Sequence, residues 1–271
     1  MKRTQHTDIT AAIVMAVLAL FVVSCASIDP SAATNVTRET IHVQLPAGAA
    51  DVDVYWPRTA AQAPMVIVAH GFSRHRHHMS GWGQHLANEG FVAVVPDLPT
   101  LSDHPHNGRF ISELRAYLLG KEVWRKRIDP ARVGLLGFSA GGLSSLLSAA
   151  DSPGLAIWVG LDPVDRDGLG ARAATMVQSR AIVLTAEPSI CNAQGNARDM
   201  VASLPQHEHF RVVGAVHVDA EWPTSYLAEL VCGRSTDERR AEFQVRATKA
   251  LKEAFAFTPV TEARDPVRTD Y

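Results

Sequence analysis

The sequence predicts an open α/β sheet, mostly parallel, with helices packed on both faces. Six near-continuous apolar runs, MVIVAH, FVAVVPD, RVGLLGF, LAIWVGLD, AIVLTAE and HFRVVG, read as strands covered on both sides. Helical candidates alternate with them at 80–88, 109–127, 140–150, 170–178, 196–203 and 236–255. Ahead of these, ETIHVQL and ADVDVYW alternate with period two, as an antiparallel pair at a sheet edge does. In such a sheet, ligands bind beyond the carboxyl ends of the strands.

Composition agrees with one large domain. The chain has 271 residues, 46% of them hydrophobic, which is enough for a substantial core. Its formal net charge of -2, without a long block of like charge, offers nucleic acid no electrostatic reason to bind. There is no internal repeat and no low-complexity linker.

The N-terminus reads separately. Lys2 and Arg3 precede the apolar run Ala11–Val23, which is too short to span a bilayer comfortably and suits the core of an export signal. The run ends in VVSC, and a small residue before a cysteine at that point resembles a bacterial lipoprotein signal. Residues 1–24 are then the signal, Cys25 carries lipid on its sulfur and amino group, and 25–36 form a tether to a domain at 37–257. The alternatives are a signal cut near Ala26, giving a periplasmic or secreted protein, and an uncleaved anchor. Without an acidic residue in Ala26-Ser27, the resemblance favours an outer membrane where the host has one. Export leaves Cys191 and Cys232 as an even pair in an oxidising compartment, so a disulfide is expected between them. The segment 258–271 is polar, has two prolines and reads as a loose tail.

The chemistry is concentrated in GFSAGG. Arg132–Leu136 reads as a buried strand and Ala140–Ala150 as a helix, so Ser139 falls on a sharp strand-to-helix turn. Gly137 and Gly141 clear room for the strained backbone of a nucleophile elbow. A serine hydroxyl is a weak nucleophile and needs a base in hydrogen-bond reach, itself oriented by a third group. Among twelve histidines, His217 stands just beyond the last strand in VVGAVHVDAEWP, which suits the chain order serine, acid, histidine. His75, His77 and His78 in RHRHHM read as a solvated turn without a metal-binding spacing. His104 and His106 sit in a loop over the same edge, within reach of a substrate. His207 and His209 look like ordinary residues before a strand. Three carboxylates compete as the acid: Asp162 and Asp165 in GLDPVDRDG, and Glu187 in LTAEPS. In VIVAHGF, Gly71 lets the backbone turn closely, so that the amide of Phe72 joins that of Ala140 as donors to an oxyanion.

On these residues the chain resembles the α/β-hydrolase superfamily over roughly 40–233. It resembles most the chlorophyllase and dienelactone-hydrolase-like esterases, and is similar to platelet-activating-factor acetylhydrolases and bacterial polyester hydrolases. The motifs are AHGF, GFSAGG, GLDPVD, AEPSICNAQGN and VHVDAEWPTSYLAELVCG. The acetylhydrolase and chlorophyllase-like members imply Asp162 as the acid; many other α/β-hydrolases place it one strand later, at Glu187. Phe138 stands where chlorophyllases usually have histidine, which speaks against a chlorophyll substrate. The resemblance implies an exported, monomeric serine hydrolase of small or lipid-like esters, with Ser139, His217 and Asp162 as its triad and no metal or organic cofactor. Acyl transfer uses the same triad. A peptidase, and a lipid-anchored binding protein on a hydrolase scaffold, are the remaining readings.

Overall fold

The computed structural model describes residues 35–58 and 62–257, with the side chain of Phe257 excepted. Among the described residues, eight strands form one sheet: β1 (Val36–Leu45), β2 (Gly48–Pro57), β3 (Ala63–Ala69), β4 (Val92–Pro96), β5 (Ile128–Phe138), β6 (Ile157–Leu161), β7 (Arg180–Thr185) and β8 (His207–Arg211). Their order is β1-β2-β4-β3-β5-β6-β7-β8. β2 runs antiparallel to β1 and β4, and all pairs from β4 to β8 are parallel. The helices are α1 (Ser80–Asn88), α2 (His104–Gly120), α3 (Glu122–Arg125), α4 (Ala140–Ala150), α5 (Leu169–Ala174), α6 (Arg198–Ala202), α7 (Tyr226–Cys232) and α8 (Asp237–Phe257). This is an α/β-hydrolase fold.

Alternation along the strands divides the core in two. Met65, Ile67 and Ala69 of β3 face Phe110 and Leu114 of α2 and Leu146 of α4. Val66 and Val68 face Trp82 and Leu86 of α1 and Phe243 and Leu251 of α8. Strands buried on both sides have no polar face, which is why their sequences read as unbroken apolar runs.

Several boundaries differ from the sequence reading. α2 begins at His104, five residues early, because the Asp103 side chain accepts from the His106 amide at 3.0 Å and Pro105 suits the first turn. His104 and His106 are therefore helical, not in a loop. β5 extends back to Ile128, and β8 starts at His207, so His207 and His209 lie within that strand. α7 was not anticipated. Its Tyr226, Leu227, Leu230 and Val231 point outward, so the segment lacks the inward apolar stripe that announces a helix.

Burial shapes the pH response of the fold. His70, His85, His104 and His209 are each held below the ordinary histidine value of 6.5, with burial the largest cause. The unfolded chain thus binds protons that the folded chain refuses, so stability is present above the unfolded value and is lost as pH falls through it. Glu221, pushed up chiefly by burial, acts with the opposite sign. The urea midpoint should be lower at pH 5 than at pH 7, and His85→Gln should flatten the difference. A midpoint that rises on acidification would contradict this.

Candidate active site

The sheet register brings the chemistry together. Phe138 lies opposite Leu161, and Ala69 opposite Gly137, so the residues after β3, β5 and β6 emerge side by side. Ser139 takes φ 53° and ψ −122°, a left-handed-side conformation that serine rarely adopts. A Cβ at Gly137 would stand 2.4 Å from the Gly141 carbonyl oxygen, and one at Gly141 would stand 2.3 Å from that of His70. Both elbow glycines are therefore required by space. The turn is held by the Ser139 amide, which donates to Leu161 O at 3.0 Å, and by Gly142 N, which donates to Ser139 O at 2.9 Å.

His217 opens a short 3₁₀ turn, His217–Ala220, after β8. Its Nε2 is 2.9 Å from Ser139 Oγ and its Nδ1 is 2.6 Å from Asp162 Oδ2. All three residues are buried, and the Phe138 ring packs 4.7 Å from the imidazole centroid. Fully buried Asp219 pins the turn: it accepts from Val216 N at 2.7 Å, Thr236 N at 2.9 Å and Arg239 Nε at 2.6 Å. The Trp82 indole adds a bond to Ala220 O at 2.9 Å.

Asp162 follows β6 directly and turns at φ 41°. Its amide donates to Leu184 O at 2.6 Å, which anchors it to β7. Its Oδ1 accepts from Ala186 N at 3.0 Å, and its Oδ2 from Asn192 Nδ2 at 3.0 Å as well as facing His217.

The turn after β3 is stiffened by His70. Leu98 N donates to its Nε2 at 2.9 Å, so the ring proton sits on Nδ1 and is donated to Gly71 O, also at 2.9 Å. Burial lowers the pKa of this ring and keeps it neutral. A Cβ at Gly71 would lie 3.2 Å from Ser139 Cβ, so the turn passes directly over the serine. Among the described residues, the amides of Phe72 and Ala140 donate to no protein group. Arg74 of the same turn reaches buried Glu221 at 2.8 Å, joining it to the histidine segment.

Residues 23–229 match the PET hydrolase-like family. The chain belongs to that family. It is 32% identical over 117 residues to the bis(hydroxyethyl) terephthalate hydrolase of Streptomyces coelicolor, covering 42% of this chain and 38% of that protein. It is 23% identical over 181 residues to cutinase 2 of Thermobifida cellulosilytica (65% of this chain, 68% of the cutinase). A cutinase of Thermobifida fusca matches at 23% identity over 65% of this chain and 56% of its own length. The chain thus spans well under two thirds of the first of these relatives and of the third.

Within this PET hydrolase-like chain the competing carboxylates are engaged elsewhere. Glu187 accepts from Gly214 N at 3.2 Å, and its own amide donates to Ala215 O at 2.9 Å, so it props the segment before His217 without touching the ring. Asp165 accepts from the amides of Gly170 and Ala171 at 2.6 and 3.1 Å and starts α5. His75 packs edge-on against His77 and His78 around a 3₁₀ turn, with His78 brought down to about 4 chiefly by burial. Among the described residues no cluster of His, Cys, Asp and Glu is placed to hold a metal ion. His106 Nε2 is bonded to Ala47 O, away from the serine. Cys191 and Cys232 are joined, closing a loop with a sequence separation of 41 that ties the Asn192 turn to α7. Cys25, the signal, the tether before Asn35 and the tail 258–271 lie outside the described residues.

Asn192 was missed by sequence reasoning. It is fully buried; its Nδ2 donates to Asp162 and to Glu187 O at 2.9 Å, while its Oδ1 accepts from Ser189 N at 2.8 Å and Gly195 N at 3.1 Å. In the sequence it stands among turn-forming residues, where asparagine needs no further explanation; its adjacency to Cys191 was the available signal. Asn192→Leu removes a hydrogen bond to a carboxylate, worth about 1.5–3 kcal/mol. Turnover of an ester should fall on the order of tenfold to a hundredfold, in kcat and not in KM. A kcat within threefold of wild type would remove Asn192 as a positioning residue.

Proposed function

We propose that the chain is an exported serine esterase working through Ser139, His217 and Asp162. The observation that supports this best is the unbroken line from Asp162 Oδ2 through both nitrogens of His217 to Ser139 Oγ. With Asp162 accepting from Nδ1–H, the lone pair is on Nε2 and faces the serine. Ser139 Oγ attacks the ester carbonyl as its proton passes to Nε2. The tetrahedral oxyanion is met by the free amides of Phe72 and Ala140, donors of a kind worth about 2.7–4 kcal/mol each to the transition state. Collapse expels the alcohol, which takes the proton from Nε2. Water then attacks the acyl-enzyme by the same route, and the carboxylic acid leaves. Every step is an acyl or proton transfer between these groups, so the scheme calls on no metal or organic cofactor.

The family supports small, lipid-like or polymeric carboxylic esters as the substrate class. Within it, the acid directly after β6 keeps the chlorophyllase and acetylhydrolase likeness as part of the proposal. Export, with Cys25 as the lipidated anchor of a monomer, suits the bonded cysteine pair. One experiment addresses both halves. A fluorophosphonate probe should label Ser139 in whole cells, and the labelled band should enter the detergent phase, moving to the aqueous phase in Cys25→Ser. The purified protein should cleave p-nitrophenyl esters and leave peptide anilides intact. An unlabelled Ser139 would argue for a binding protein, and anilide cleavage for a peptidase.

A further inference from the structure

The turn that carries the Phe72 amide is held only weakly by its own residues. Phe72 and Ser73 are both exposed, so neither side chain anchors the turn in the core. Ser73 takes φ 54°, a left-handed conformation that a residue with a side chain keeps only where its surroundings enforce it. The bond that closes the turn, from Arg74 N to Gly71 O, is long at 3.3 Å. The Gly71 carbonyl and the Phe72 N–H share one planar, trans peptide and point in opposite directions, so a tilt of the turn re-aims the donor. His70 fixes the entry to this turn through Gly71 O. The exit needs a second anchor.

Arg74 supplies it. Its Nε donates to Glu221 Oε1 at 3.0 Å and to Oε2 at 2.8 Å, and Glu221 is fully buried. Glu221 caps the 3₁₀ turn that His217 opens, its amide donating to Val218 O at 3.2 Å. The other ties between the two segments attach further along the chain. Trp222 N donates to His78 O at 3.1 Å, Gly81 N to Trp222 O at 3.0 Å, and Trp82 Nε1 to Ala220 O at 2.9 Å. These fix the start of α1 and leave the Phe72 turn to Arg74. Burial pushes the Glu221 pKa up, and Arg74 opposes it. A buried ion pair is weak evidence for stability, so its place between donor and base asks for another reason.

We propose that Arg74 and Glu221 are positioning residues, a strut that sets the Phe72 amide against the His217 ring so that oxyanion donor and base act on one carbonyl. The inference rests on the serine-esterase reading above. In that reaction the oxyanion forms in the step in which Nε2 takes the Ser139 proton. The two groups must therefore be placed relative to each other as well as to the serine. Charge on the oxygen develops only in the transition state, so a misaimed donor is felt in turnover and not in binding.

The test measures p-nitrophenyl butyrate hydrolysis by the full chain, with thermal midpoints alongside. Removing Arg74 alone would strand a buried carboxylate, so the main variant replaces both partners, Arg74→Met with Glu221→Met, leaving apolar groups of similar volume. Its kcat should fall roughly tenfold to a hundredfold, short of the roughly hundredfold to thousandfold loss of a whole oxyanion donor, with KM within about twofold. Arg74→Lys gives up the planar fork and Glu221→Gln the charge, yet neither strands its partner. Each should lower kcat by about threefold to tenfold at unchanged KM. A folded double variant with kcat within about threefold of wild type, or a loss carried by KM, overturns the strut alone. Where the double variant does not fold, the two conservative variants decide, and wild-type kcat in both overturns it. No ester hydrolysis by wild type, or hydrolysis that persists in Ser139→Ala, overturns the esterase reading instead.

Discussion

Ser139→Ala is expected to abolish ester turnover while leaving the protein folded. The change deletes one oxygen whose single side-chain bond is to His217 Nε2 at 2.9 Å. The elbow itself is held by main-chain bonds to Leu161 and Gly142, which alanine keeps. Alanine is no worse suited than serine to φ 53°, so the backbone cost is unchanged. In a serine protease, loss of the nucleophile lowers kcat on the order of a millionfold, and what remains comes from binding and the oxyanion donors. The expected pairing is a near-wild-type thermal midpoint with no measurable ester hydrolysis. Activity above a tenth of wild type, with contaminating esterases excluded, would remove Ser139 from the mechanism.

Asp162→Asn should cost roughly 10⁴-fold in turnover, as acid-to-amide replacement does in serine proteases. The two carboxylate oxygens of Asp162 serve three neighbours: Ala186 N, Asn192 Nδ2 and His217 Nδ1. Asparagine has one acceptor oxygen. If that oxygen stays with Ala186, the new amide donates toward His217 Nδ1, which drives the ring proton to Nε2 and leaves no lone pair for Ser139. If the amide is flipped, it meets the Ala186 N–H with another donor. Either arrangement disarms the base or strands a buried group. Glu187→Gln, whose acceptor oxygen still reaches Gly214 N, should stay close to wild type. If Glu187→Gln is the crippled variant and Asp162→Asn remains active, the acid belongs one strand later.

How much of this was legible in the sequence depended on whether a residue's task is local. The parallel strands announce themselves because burial on both faces removes polar residues from them. The elbow does so because its close approaches admit only hydrogen at Gly137 and Gly141. Choosing between Asp162 and Glu187 was not a local matter. Each ends an apolar run and precedes a proline, and what separates them is the tight turn at Asp162 and its bond to Leu184 on the neighbouring strand. Asn192 was invisible for the same reason: its partners lie across a turn and a strand, and no periodicity encodes them. α7 escaped because its apolar side faces away from the core.

The pinning of His217 through Asp219 also has a bearing on the order in which the site is assembled. Besides Val216 N in its own turn, the groups that hold Asp219 are Thr236 N, just ahead of α8, and Arg239 within that helix. During synthesis, Ser139, the Gly71 turn and Asp162 all emerge before that helix does. A chain still being made therefore carries Ser139 before the seat of His217 is fixed. If Ser139 and His217 act as proposed, hydrolytic competence arrives with α8, which makes that helix a timing device set by chain order.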